Sequence, residues 1–214
     1  MATLIANSVI ERTFQYKTCC NYKSINTQTM SKTIGIIAGS LRRESFSKKI
    51  AAEIVKMAPK GYDFKLIPIA DLPVYNQDFD DDNAAPAAYT EFRTLMNTVN
   101  GVIFITPEYN RSVPGALKNA IDVGSRPYGK SIWDKKPAAV FSNSPGNLSA
   151  FGANHHLRQS LVFLNMPVMQ QPEVYLAKVA DLFNDRGDMI DGKGKELIQQ
   201  AVTAYISWFE KNVG

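Results

Sequence analysis

Apolar residues along the chain fall into two patterns that take turns. Residues 33–38 (TIGIIA), 101–106 (GVIFIT) and 137–141 (PAAVF) are short, nearly unbroken apolar runs. Such runs read as strands covered on both faces. Between them apolar residues recur every three or four positions: Phe46, Ile50, Ile54 and Met57, then Tyr89, Phe92, Leu95, Met96 and Val99. These stripes predict helices, the second opened by Pro86 and running to about Val99. Further helices are predicted over 115–123, from about Asn154 to Leu164, and over 193–211. After the break Pro59-Lys60-Gly61, alternating Phe64 and Leu66 predict a second strand over 62–69, and Val168 with 173–176 marks a fifth. Strands alternating with helices predict an α/β protein whose parallel sheet is covered on both sides by right-handed crossovers.

Open sheets of this kind bind ligands beyond the carboxyl ends of their strands, where the winding reverses. Three loops fall there, 39–47, 107–114 and 142–150, and all are rich in small and polar residues. The first turns through Ser40-Leu41-Arg42-Arg43-Glu44-Ser45 into a helix. A buried strand leading that way into a helix aims free N–H groups and the positive helix end at one point, which suits a phosphate. Taken alone, the stretch reads equally well as a helix capped by Ser45 or Ser47 with its arginines in water. The second loop is stiffened by Pro107 and Pro114 and offers Glu108, Tyr109 and Asn110: a charge, an aromatic face and an amide. The third offers Ser144, Pro145 and Gly146, the glycine permitting close approach of backbone to a ligand. One phosphate site and two walls for a flat ring describe a mononucleotide pocket, and FMN is the mononucleotide held by the flavodoxin-like winding.

Composition narrows the field. At 214 residues, 45% hydrophobic and 21% charged, the chain suits one folded domain with a full core. No apolar run approaches the roughly 20 residues of a bilayer span, so no membrane partner is expected. The net charge of +4 is modest and its basic residues are dispersed, which gives no ground for nucleic-acid binding. Residues 1–30 differ: they hold both cysteines, Cys19 and Cys20, and a single acid, Glu11. Asn7 and Ser8 interrupt the apolar LIANSVI, unlike a secretory signal. A weak targeting peptide is one reading; a poorly ordered extension preceding a domain over 31–214 is preferred. Adjacent cysteines lack metal or redox-pair spacing, and none follows Cys20, which fits a reducing, cytoplasmic setting.

Gly39-Ser40-Leu41-Arg42 with Ser45-Phe46-Ser47, then Pro107-Glu108-Tyr109-Asn110 and the run from Ser112 through Val113-Pro114-Gly115-Ala116-Leu117-Lys118-Asn119 to Asp122, resembles the NAD(P)H-dependent FMN reductase family. Within it the likeness is to the bacterial chromate and quinone reductases, and His156-Leu157-Arg158-Gln159 fits the same group. The resemblance covers Lys32 to about Asn212. It implies a flavodoxin-like three-layer α/β/α sandwich with a five-stranded parallel sheet in the order 2-1-3-4-5, assembled as a homodimer or homotetramer. It implies that Ser40, Leu41, Arg42, Ser45, Phe46 and Ser47 surround the FMN phosphate. Pro107, Glu108, Tyr109 and Asn110 then lie along the isoalloxazine, with Ser144, Pro145, Gly146 and Asn147 on its other edge. The implied activity passes hydride from NAD(P)H through bound FMN to small acceptors such as quinones, chromate or azo compounds, in alternating steps that need no protein acid or base. Three departures stand out: Ser47 where relatives often carry asparagine, Ser149-Ala150 and Gly152 where they carry a glycine pair and then arginine, and Val123 in place of tryptophan.

Other signals are bland. Gly187 to Lys193 nearly spells a nucleotide P-loop, but Gly194 follows and no buried strand precedes it, so a turn is expected. His155 and His156 point about 100° apart on a helix and cannot share a metal. The acidic cluster Asp78 and Asp80 to Asp82 reads as solvated charge, the apolar stretch 161–164 with Met166 as core, and Trp133 and Trp208 as packing residues. Two alternatives to an enzyme are an electron carrier of the flavodoxin type, which the basic balance disfavours, and a flavin-free interaction module, which the intact loops disfavour.

Overall fold

A computed structural model describes residues 31–213. The expectation of an extension over 1–30, with its two cysteines, lies outside the described residues. Five strands, β1 (Lys32–Ala38), β2 (Tyr62–Leu66), β3 (Gly101–Thr106), β4 (Ala138–Asn143) and β5 (Val174–Leu176), pair in parallel in the order 2-1-3-4-5. Between and after them run α1 (Phe46–Lys56), α2 (Asp78–Asp81), α3 (Ala87–Asn97), α4 (Gly115–Gly124), α5 (Phe151–Phe163) and α6 (Lys193–Asn212). The winding is flavodoxin-like, with its reversal between β1 and β3.

Side chains alternate across the sheet and build a core on each face. Ile37, Val102, Phe104 and Val140 pack with Tyr89, Phe92 and Met96 of α3, Leu117 and Ile121 of α4, and Leu157 and Leu161 of α5. Ile34, Ile36, Ile103, Ile105 and Phe141 pack on the other face with Ile50 and Ile54 of α1 and Ile198, Val202, Tyr205 and Phe209 of α6. Because both faces are covered, β1, β3 and most of β4 read as continuous apolar runs. Trp133 is fully buried between Phe92 and Phe104, and its Nε1 donates to the Ile121 carbonyl at 2.9 Å. Gly124 makes room for it, since a Cβ there would stand 2.6 Å from the indole.

The structure moves several expected boundaries. β2 stops at Leu66, not residue 69; Ile67 makes the last ladder bond, to Ile36 O at 2.9 Å, and Pro68 follows it. β4 continues two polar residues past Phe141, with Ser142 and Asn143 paired to Tyr175 and Leu176. α5 begins at Phe151, three residues ahead of Asn154. The loop around the acidic cluster holds the single helical turn α2, where Asp80 is bound by Arg93 through two bonds of 2.7 and 2.8 Å. The stretch 161–164 is divided: Leu161 is buried, whereas Val162 and Phe163 are 67% and 85% exposed. Successive helical residues point about 100° apart, so such a run cannot all face inward. The turn expected over Gly187 to Lys193 lies earlier, over residues 183–189, closed by a Phe183–Met189 bridge ahead of α6.

Candidate functional site

The loop after β1 is built to present donors. Ser45 caps α1 with extended backbone, and its Oγ accepts from the Lys48 N–H at 3.3 Å. The amides of Phe46 and Ser47 lie in the first turn, where a helix has no acceptor of its own, and no acidic side chain occupies that turn. Ser40, Ser45 and Ser47 are all buried. Asn143, at the end of β4, donates through Nδ2 to Ser47 Oγ at 2.9 Å and to the Thr106 carbonyl at 3.4 Å. One amide thereby ties together the ends of three site-forming segments. Phe46 stacks on Phe183 at 5.9 Å, and the exposed Arg42 curls over the Phe46 ring, 5.7 Å from its centre, donating to the Glu44 carbonyl.

The loop after β3 is a miniature hairpin. Tyr109 and Ser112 exchange both backbone bonds, at 3.1 and 3.0 Å, around Asn110 and Arg111. Both central residues have positive φ, 51° and 63°, as a type I′ turn requires. Tyr109 stands at its base, 53% exposed. In the loop after β4, the Ser144 N–H donates to the Leu176 carbonyl at 3.1 Å, and its Oγ donates to the Gly146 carbonyl at 3.0 Å. Ser149 and Ala150 then adopt left-handed φ of 54° and 59°. A left-handed residue bearing a Cβ costs roughly 1–2 kcal/mol, so glycine would meet this backbone demand at less cost.

These three loops meet. Ser40, Arg42, Ser45, Phe46, Ser47, Pro107, Glu108, Tyr109, Ser144 and Pro145 line one hollow at the carboxyl edge of the sheet. Leu41, Asn110, Gly146 and Asn147 do not line it. Leu41 borders a separate apolar hollow beside Leu66, Ile67 and Pro68, and the other three are exposed. Asn143 lines the hollow too, and sequence reasoning left it in a loop with no role. The signal available was Ser142-Asn143 directly after an apolar run, where a strand's carboxyl end is expected. The histidines part as anticipated. His155 meets the Tyr175 hydroxyl at 3.0 Å, and His156 Nδ1 meets Ser112 Oγ at 3.1 Å. Burial first, then the Glu173 carboxylate, pushes the Tyr175 phenol up.

The donor set fits a phosphorylated planar ligand. A helix N-terminus, three buried hydroxyls and a guanidinium answer a phosphate, and the Pro107–Tyr109 and Ser144–Pro145 segments answer a flat ring.

Comparison with known proteins agrees with this geometry. Residues 32–181 match the family described as NADPH-dependent FMN reductase. A quinone reductase of Pseudomonas putida is 49% identical over 180 residues, 84% of this chain and 96% of its own. A 2-hydroxy-1,4-benzoquinone reductase of Burkholderia is 36% identical over 179 residues, 84% of this chain and 97% of its own. Among solved structures, FerB of Paracoccus denitrificans, a flavoenzyme NAD(P)H:(acceptor) oxidoreductase, superposes with a TM-score of 0.76 at 37% identity, covering 86% of this chain and all of FerB. A family match across most of the chain, on a sheet wound in the order that places these three loops together, leads to one assignment: this chain belongs to the NADPH-dependent FMN reductase family.

Proposed function

We propose that the chain uses FMN, held at the carboxyl edge of its sheet, to reduce quinones and similar small oxidants with NAD(P)H. The observation that carries this is the convergence of three loops, the first holding Ser40 and the last Pro145, on one hollow that combines an anion-binding helix end with two backbone walls. In this reading the Phe46 and Ser47 amides, with the Ser40 and Ser45 hydroxyls, hold the phosphate, and Arg42 closes over it. Pro107 to Tyr109 and Ser144 to Pro145 flank the ring. When bound, FMN supplies the hydride-accepting and hydride-donating chemistry. The chain's own part is to bind, to orient and to leave one side open to donor and acceptor, and the exposed Tyr109 stands at that opening. We assign no side chain a role in proton transfer.

Quinones are favoured as acceptors by the named activities of the relatives, with chromate and azo compounds as further oxidants of small size. A homodimer or homotetramer is part of the proposal, supported by the exposed Val162 and Phe163 on α5. So is a cytoplasmic setting; among the described residues no helix is long and apolar enough to cross a membrane.

Purified protein is expected to carry a flavin spectrum, or to acquire one with added FMN. NADH or NADPH should bleach it within seconds without oxygen, and a quinone should restore the colour. Colour without bleaching would make the protein an electron carrier. Failure to take up FMN would end the flavin reading.

A further inference from the structure

α5 enters the site without a cap of its own. Ala150 precedes it in the left-handed region and offers no side-chain oxygen, and its first turn has no acidic residue. Free amides at a helix start call for an acceptor. One arrives from far upstream: Glu108 Oε2 accepts from the Ala153 N–H at 3.0 Å. The Glu108 side chain is only 12% exposed, with Arg111 Nη1 3.4 Å from its other oxygen. A carboxylate at this position also meets the positive end of the helix. Residue 152 is fitted to the contact. A Cβ on Gly152 would stand 2.9 Å from the Arg111 carbonyl oxygen and 3.0 Å from Glu108 Oε2, so only glycine lets the loop and the helix end close on each other.

Of the two partners Glu108 lines the hollow, while Ala153 lies in the first turn of α5, the helix fed by the third of the loops that line it. Glu108 lies in the loop after β3, and Ala153 follows directly on the loop after β4. Beyond the last β3–β4 pair, Thr106 with Ser142, the walls are separate chain segments. The exposed His156–Ser112 contact also bridges them, but in competition with water.

We propose that Glu108 is a positioning residue: its carboxylate clamps the loop after β3 to the N-terminus of α5 and so sets the gap between the two walls, its side chain serving the helix and not the ligand. The proposal rests on the reading that the gap receives FMN. Fixing two walls in advance lowers the ordering cost of binding between them. Gln in place of Glu keeps an oxygen for the Ala153 amide, whereas Ala removes it.

The test is FMN titration of full-length wild type, E108Q, E108A and G152A by flavin fluorescence, together with amide exchange at Ala153 and the visible circular dichroism of bound flavin. E108A and G152A are expected to bind FMN about 5- to 10-fold more weakly, to lose Ala153 protection and to alter the flavin dichroism. E108Q should stay within about threefold of wild type with protection retained. Lost protection with unchanged FMN binding would overturn the clamp, leaving a helix cap alone. Weakened binding with protection intact, or E108Q as weak as E108A, would overturn it in favour of a direct contact with the ligand. If E108A does not fold, E108Q and G152A decide between the same outcomes. Wild type that takes up no FMN would overturn the flavin reading itself, a result distinct from wild type and E108A binding alike.

Discussion

Arg42 is the residue whose environment says most about its task. It is exposed at the mouth of the hollow, lies over the Phe46 ring and borders a helix end that lacks acidic side chains. In the proposed site it is the mobile cation that closes on a phosphate already met by fixed amides. A charge-assisted hydrogen bond is worth about 1.5–3 kcal/mol, and exposure places Arg42 at the lower end through solvent screening. Arg42→Ala should therefore weaken FMN binding by roughly tenfold in a fluorescence titration while leaving thermal stability nearly unchanged. Equal affinity would move the phosphate elsewhere. The same scale explains the departures at 149 and 150. Ser149 and Ala150 hold a left-handed backbone that glycine holds more easily. Arg42 and the serines stood out in the sequence only together with the other two loops, because alone they read equally well as a capped helix with its arginines in water. Asn143 did not, because its worth lies in reaching Ser47, 96 positions away.

At the scale of elements, the joint between α2, α3 and α4 is electrostatic. Arg93 binds Asp80 through both guanidinium nitrogens and donates from Nε to the Val123 carbonyl at 3.0 Å. The Asp80 side chain is 5% exposed. Arg93's hydrogen bonds, against an opposing effect of burial, hold the Asp80 carboxyl below the usual carboxylate range. A carboxyl depressed in the folded state stabilises above its unfolded pKa of about 3.9, and that contribution is lost as pH falls through the lower folded value. Arg93→Ala should cost about 3 kcal/mol in urea unfolding at neutral pH, by stranding a buried carboxylate, and less near pH 3 where that carboxylate takes up a proton. A penalty independent of pH would remove charge from the account. The acidic cluster looked like solvated charge because nothing in its spacing marks Asp80 apart from Asp78, Asp81 and Asp82. Only the fold brings Arg93 to it. α5 teaches the same lesson: Phe151 lacks a capping residue before it, and its cap is Glu108 of another loop.

At the scale of the molecule, the loops after β1, β3 and β4 open at one rim, so donor and acceptor approach the proposed flavin by the same route. In the proposed site each has to leave before the other enters. Steady-state rates with NADPH and a quinone varied together should give parallel double-reciprocal lines, and converging lines would show that both are bound at once. The strands, most helices, the sheet's parallel character and the three loops at its carboxyl edge followed from the chain alone. Apolar periodicity reports how many faces of an element are covered, and a topology of alternating strands and helices leaves one edge for ligands. What the tertiary structure alone decided is where polar residues inside the fold find partners: Ser142 and Asn143 extending β4, Glu108 capping α5, Asp80 bound to Arg93. A buried polar group is tolerated only when another group satisfies it, and that group can stand anywhere along the chain; hydrophobic patterning is local, whereas polar satisfaction is settled only once distant segments have met.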